Sequence, residues 1–263
     1  MLVVDDGSTD DSANIVRGIL SKQKGFRFVQ HKNSGPAATR NRGIDKTQGR
    51  YLIFLDADDE MMPQALEHYR CALDSNEIIG MLAGGHISKT PLGDKKESTM
   101  PAIPKSAEAR LKAYLLDKSL ALSNGAVAIS REVFDAYRYP EQFRASEGIS
   151  MFAFILANFE VLRIKEPLAV IYKHNDSLRH NVTDASAAGL LVVDEVFGLA
   201  RIPAQFQHLK IKFMAQRSLS LFRTLFIAGN VKEARTFYHR AVRFNPLVIF
   251  RASYFIQYLR SWF

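Results

Sequence analysis

Cysteine occurs once in 263 residues, at Cys71. That excludes an internal disulfide framework and any cysteine-rich metal site, and it points to a reducing compartment. Cys71 falls in the helical stretch from Gln64 to Leu73 and reads as a small core residue. Long apolar runs are missing as well. No stretch approaches about twenty uncharged apolar residues, so no transmembrane helix is expected. The start is an apolar strand running straight into acids without a basic segment ahead of it, so no signal peptide is read. Acid is almost absent from one end. Residues 201–263 carry eleven Lys and Arg against one acid, Glu233, whereas residues 1–200 carry 24 bases against 26 acids. The whole surplus behind the net charge of +8 therefore sits in the tail. A hydrophobic content of 47% and a charged content of 24% are ordinary for a globular protein.

What is present is an alternation of strands and helices. Leu2-Val3-Val4 reads as a strand end, and Ser12 to Lys22 as a helix with Ala13, Val16, Ile19 and Leu20 on one face. Phe26 to Val29 alternates like a strand. Pro36 occupies a first-turn position, and Ala37, Asn41 and Ile44 form the inner side of the next helix. Tyr51 to Leu55 is a continuous apolar run, as expected of a strand buried on both faces. Residues 84–105 lack an apolar period and read as a long connecting loop. Ala107 to Leu116 and Ile149 to Leu156 are predicted helices. Ala126 to Ile129, Val161 to Ile164 and Leu168 to Tyr172 are predicted strands, and from Ala185 the pattern is helical.

Carboxylates gather where two apolar runs end, at Asp5-Asp6-Gly7-Ser8 and at Asp56-Ala57-Asp58-Asp59. Both edges can face one pocket at the carboxyl end of a sheet, where open α/β folds bind ligands. One edge can read a nucleotide's hydroxyls and base. The other, four acids in five residues counting Glu60, is costly through repulsion unless a cation neutralises it, and hard oxygen donors suit Mg²⁺ or Mn²⁺ on substrate phosphates. Between them, Asn33 to Ile44 is a turn opening a helix with Arg40 and Arg42 in its first turns, and Gly35 offers backbone N–H groups to an anion. Each motif also has a plain structural reading, as a cap, a solvated turn or surface charge.

Acid, cation, acid in this order resembles the family 2 glycosyltransferases of the GT-A fold, continuously over residues 1 to about 180. The resemblance implies an α/β domain over residues 1–184 with a mixed, mostly parallel sheet and flanking helices, followed by a basic helical region over residues 185–263. It implies an inverting transfer of sugar from a nucleotide diphosphate sugar, a UDP-sugar first, to a glycan or lipid-linked acceptor in cell-surface polysaccharide synthesis. Asp5, Asp6, Arg40 and Asp56 would then bind the nucleotide sugar, with Asp6 at the base, and Asp58 would ligate the metal. His174, followed three residues later by Ser177, would join it, with His180 a looser candidate. An inverting transfer needs one base for the acceptor hydroxyl. The family supplies the Asp of a Glu-Asp pair, whereas the pair here reads Glu147-Gly148, so Glu147 stands either as the base or as a first-turn acid.

The family opens with a strand and a helix ahead of the Asp-Asp-Gly-Ser turn, about thirty residues or more, and here only four residues precede Asp5. Without that strand its neighbours are expected to stand unpaired and the nucleotide site to open. A catalytically impaired sugar-nucleotide-binding relative or a gene fragment is the alternative reading. A receiver-type phosphoacceptor domain matches Leu2 to Asp6 but fails at Glu166-Pro167, where it needs a Lys-Pro. A haloacid-type phosphatase lacks its Thr after Asp58. The tail from Phe244 to Phe263 joins Leu247, Phe250, Phe255, Ile256, Leu259 and Trp262 with Arg243, Arg251 and Arg260. It is read either as an interfacial helix on an anionic membrane surface or as a face packed on protein, and nucleic acid is not expected as a partner. Localisation is read as cytoplasmic and peripheral on the inner membrane face.

Overall fold

The computed structural model describes residues 1–73, 79–144, 146–173, 189–198 and 201–262. Strand β1 (Leu2–Asp5) and strand β2 (Arg27–Gln30) pair in parallel, with helix α1 (Ser12–Leu20) as their crossover. Ala13 is the buried anchor of α1, whereas Ile19, expected on its inner face, is 54% exposed: the two-stranded sheet is too narrow to cover the whole helix. Helix α2 (Pro36–Asp45) follows, with Pro36 in the first turn and Ala37, Ala38, Asn41 and Ile44 buried.

The main sheet has six strands: β3 (Tyr51–Leu52), β4 (Glu60–Met61), β5 (Met81–Lys89), β6 (Lys95–Ser98), β7 (Val127–Ser130) and β8 (Val161–Tyr172). Their order is β3-β7-β5-β8-β4, with β6 on the outer part of β5. The β5–β8 pair is parallel and the others are antiparallel, so the sheet is mixed as expected, but antiparallel pairs outnumber the parallel one. In the described residues β1 pairs only with β2, and β3 only with β7, so each keeps one open edge.

Several expectations change in the structure. Residues 84–105 contain the β5–β6 hairpin rather than one long loop. Its second strand is Lys-Lys-Glu-Ser, too polar to show a period, and Gly84 and Gly85 are packing glycines. A Cβ at Gly84 would meet the Leu168 side chain at 2.2 Å, and one at Gly85 the Ser98 carbonyl oxygen at 2.4 Å. The two late strands are one, β8, which carries Pro167 through a register shift opposite Gly85, a bulge position that proline tolerates. The run Tyr51 to Leu55 is not buried on both faces: pairing stops at Leu52, and Leu55 is 41% exposed as the chain leaves the sheet edge. Cys71 is exposed rather than core, on the outer side of helix α3 (Ala65–Ala72) beside Glu67.

Helix α4 (Ala107–Leu111) continues into a π-helical turn over Lys112–Leu116, and α5 (Arg131–Ala136) follows β7. Helix α6 (Glu147–Asn158) buries every residue from Ser150 to Ala157, as a helix apolar on all sides must. The later helices are α7 (Leu191–Val196), α8 (Leu209–Ile227), α9 (Val231–Phe244) and α10 (Ala252–Arg260). Val192, Val196, Leu209 and Phe213 enter the same core as α6, whereas the second half of α8 packs with α9 in a separate cluster. The expected boundary at 184 and 185 lies outside the described residues.

Candidate active site

The Asp-Asp-Gly-Ser turn leaves β1 and folds against the start of α2. Asp5 Oδ1 accepts hydrogen bonds from the Ser8 N–H, at 3.2 Å, and from its hydroxyl. The Ser8 hydroxyl is the main cause that holds the Asp5 carboxyl below its ordinary value, against partial burial. Its other oxygen, Oδ2, is shielded from solvent and lacks a well-formed hydrogen bond. Asp6 spans the gap to α2: the Ser34 and Gly35 N–H groups donate to its two oxygens at 2.7 and 2.9 Å. Carboxylate oxygens carry further lone pairs, so these bonds leave acceptor capacity on Asp6. Gly7, at φ +77°, makes the turn possible. A Cβ there would stand 2.6 Å from the Asn33 nitrogen.

Arg40 is the centre of the site. Its position one turn into α2 aims the side chain at the ends of both β3 and α6. Nη1 donates to Glu147 Oε1 at 2.6 Å and Nη2 to Asp56 Oδ1 at 2.9 Å, while the guanidinium lies 5.6 Å from the Tyr139 ring centre. Burial opposes the charge on Arg40, but Asp56, Tyr139 and Glu147 outweigh it and push its pKa above the ordinary arginine value. Glu147 stands in the first turn of α6 behind Ser146, which has a left-handed φ of 82°. Gly148 next to it is not forced by crowding, since a Cβ there would make only ordinary contact with Phe152 at 3.6 Å.

Asp58 is exposed on the loop between β3 and β4, and Asp59 accepts the Tyr172 N–H at 3.0 Å, tying this loop to the end of β8. Among the described residues no three His, Cys, Asp or Glu side chains form a ready metal cage. His174 and His180 lie outside the described residues. Sequence reasoning missed Tyr139 and Asn41 as supports. The Asn41 side chain exchanges hydrogen bonds with the Tyr139 backbone at 2.9 and 3.1 Å, and the Tyr139 hydroxyl donates to Asn124 at 2.9 Å. Burial is the main cause that raises the Tyr139 phenol. Nothing local in the sequence marks a tyrosine so far from Arg40 as its platform.

An uncharacterised glycosyltransferase of Haemophilus influenzae is 46% identical over 80 residues, 30% of this chain and 32% of that protein. The Campylobacter jejuni GalNAc(5)-diNAcBac-PP-undecaprenol beta-1,3-glucosyltransferase is 25% identical over 151 residues, 56% of this chain and 47% of its own length. The chain thus spans under half the length of these relatives. Among solved structures, S. aureus TarS 1-349 in complex with UDP-GlcNAc aligns over 98% of this chain and 79% of its own, with a TM-score of 0.63 at 17% identity. The mannosyltransferase PcManGT from Pyrobaculum calidifontis, in complex with GDP-Man and Mn2+, aligns over 99% of this chain and 75% of its own, with a TM-score of 0.56 at 14% identity. The fold is therefore GT-A. The family model for glycosyl transferase family 2 matches residues 1–138, more than half of the chain, so this protein belongs to glycosyl transferase family 2.

Proposed function

We propose that the protein moves a sugar from a nucleotide diphosphate sugar, a UDP-sugar first, to a glycan or lipid-linked acceptor with inversion. The observation that carries this reading is the double ion pair of Arg40. It gathers a carboxylate from the loop after β3 and one from the first turn of α6 into one site. Asp5 and Asp6 supply acceptors for the nucleoside, Asp6 through the lone pairs that its two backbone donors leave free. Glu147 takes the proton from the acceptor hydroxyl as that oxygen attacks the anomeric carbon opposite the leaving diphosphate. Arg40 keeps the Glu147 carboxylate oriented.

Mg²⁺ or Mn²⁺ needs only one or two protein carboxylates when substrate phosphates and water complete its shell, which fits an exposed Asp58 rather than a closed cage. Asp58, joined by His174, would hold the ion, and when bound it supplies Lewis-acid stabilisation of the departing diphosphate. The helices from Leu191 onward serve as a docking unit. Tyr254 and Tyr258 of α10 face the α8–α9 cluster, whereas Phe250, Phe255, Ile256, Leu259 and Trp262 are 37–83% exposed beside Arg251 and Arg260. No described helix is long and apolar enough to cross a membrane. Apolar exposure edged by arginine suits an anionic membrane surface, as for an enzyme of cell-surface polysaccharide synthesis on the inner face.

The test is Glu147→Gln. Transfer should fall by about a hundredfold or more while affinity for UDP-GlcNAc stays unchanged, because a general base acts in the transition state and not in donor binding. A variant that keeps full transfer removes Glu147 from the chemistry. The second reading, a catalytically impaired relative, draws on the Gly148 that replaces the usual Asp. It would show as donor binding without transfer in the unaltered protein.

A further inference from the structure

One corner of the fold gathers two cations against helix α8. Arg217 of α8 donates through Nε to the Gly189 carbonyl oxygen at 3.2 Å and through Nη2 to Ser146 Oγ at 3.4 Å. Lys118, just after the π-helical turn, sets its Nζ 5.9 Å from the Tyr114 ring centre and 5.8 Å from that of Phe213. Neither cation has a carboxylate partner among the described residues. Lys118 is exposed to solvent, and Phe213, whose ring it overlies, stands one helical turn before Arg217 on α8. Burial and then the charge of Arg217 lower the Lys118 ammonium to about 8, and burial lowers Arg217 to about 10. Two like charges held together in this way disfavour the folded state unless an anion joins them.

The backbone adds an independent sign. Among the described residues only two non-glycine residues have positive φ, Lys118 at 56° and Ser146 at 82°, and both stand at this corner. Strained backbone of this kind concentrates at ligand sites. Glu147 follows Ser146 directly, and the Tyr114 ring that Lys118 overlies packs edge-on against Phe152 of the same helix α6, with ring centres 6.1 Å apart.

We propose that Lys118 and Arg217 form an anion subsite on the acceptor side of Glu147, taking a phosphodiester or diphosphate-diester group carried by the acceptor. The assignment of the acceptor side rests on the reading of Glu147 as base. Arginine offers a planar fork to phosphate oxygens and lysine a point charge, a pairing suited to a phosphate group. The proposed function assigns the donor phosphates instead to Asp58.

The test uses the full chain, first alone, then with saturating UDP so that the donor site is filled, and then with each probe added to the UDP complex. Lys118 acylation is followed by peptide mass spectrometry at pH 8, with the exposed Lys96 as internal reference and inorganic phosphate or glycerophosphoglycerol as probes. Both probes should slow acylation of Lys118 and not of Lys96. Calorimetric affinity for glycerophosphoglycerol should fall about tenfold in each of Lys118→Gln and Arg217→Gln. Absence of protection in the unaltered protein, or equal affinity in both folded variants, would overturn the proposal. Protection by inorganic phosphate alone would make this a free-anion site, and protection by UDP alone would assign it to the donor diphosphate; either overturns the acceptor assignment. None of these readouts needs turnover. Protection without transfer therefore fails the proposed function alone, and transfer without protection fails the subsite alone.

Discussion

Replacing Arg40 by methionine tests how the site is held together. Both side chains of the Arg40–Glu147 pair are nearly covered, at 10% and 12% exposure, whereas Asp56 is 54% exposed. Removing one partner of a buried ion pair costs about 3–5 kcal/mol, because the other charge is left covered and unpaired. The exposed Asp56 contact adds only about 0.2–1 kcal/mol. Methionine recovers some of the packing over Tyr139, so a net loss of about 3 kcal/mol is expected. For a chain of this size that lowers Tm by about 6–12 °C. Urea unfolding of Arg40→Met, Glu147→Gln and the double variant closes a cycle. The double variant should be more stable than Arg40→Met by about 1 kcal/mol or more, since the neutral amide that replaces the Glu147 carboxylate no longer strands a charge. A loss below about 1 kcal/mol together with no coupling in the cycle would refute the buried bridge.

Three further outcomes follow from named contacts. Gly7→Ala forces an unfavourable φ and a 2.6 Å approach to the Asn33 nitrogen. It should lower stability by about 1–3 kcal/mol by thermal melting, and unchanged melting would show that the turn opens freely. Lys118 has a folded pKa of about 8 against an ordinary 10.5, so between these values the unfolded chain binds a proton that the folded one lacks. Its charge therefore opposes folding below about pH 8, and the penalty fades as pH rises to 10.5: Lys118→Gln should raise Tm at pH 7 and not at pH 11. A uniform shift at both pH values would contradict this. The tail should co-sediment with anionic but not neutral liposomes at low salt, and Phe250→Ser with Trp262→Ser should release it. Self-association without liposome binding would instead make that face a contact between copies.

Much of the site was legible because each motif is local. Apolar runs deliver Asp5, Asp6, Asp56 and Asp58 to loops, and a proline followed by small residues builds the helix that carries Arg40. What the sequence hid is long-range. Whether Glu147 reaches Arg40, and which aromatic ring lies beneath that guanidinium, depends on how α6 and the loop before it return to α2. The polar strand β6 was unreadable because its partner supplies the backbone pairing while its own side chains stay in water. Gly84 and Gly85 read as loop residues because close approach of Leu168 and Ser98 calls for the same residue as a turn does. Lys118 and Arg217 carry no motif, and only the fold brings Arg217 to Ser146 and Lys118 to Phe213, one turn before Arg217.

The central claim is that this site cleaves a nucleotide sugar with a divalent ion held by Asp58. The direct measurement is UDP release from UDP-GlcNAc, with and without Mn²⁺, by the unaltered protein and by Asp58→Ala. Release should require the metal, stop in excess chelator, and fall by about a hundredfold or more in Asp58→Ala with folding intact. Equal release by Asp58→Ala, or full release in chelator, would contradict the account.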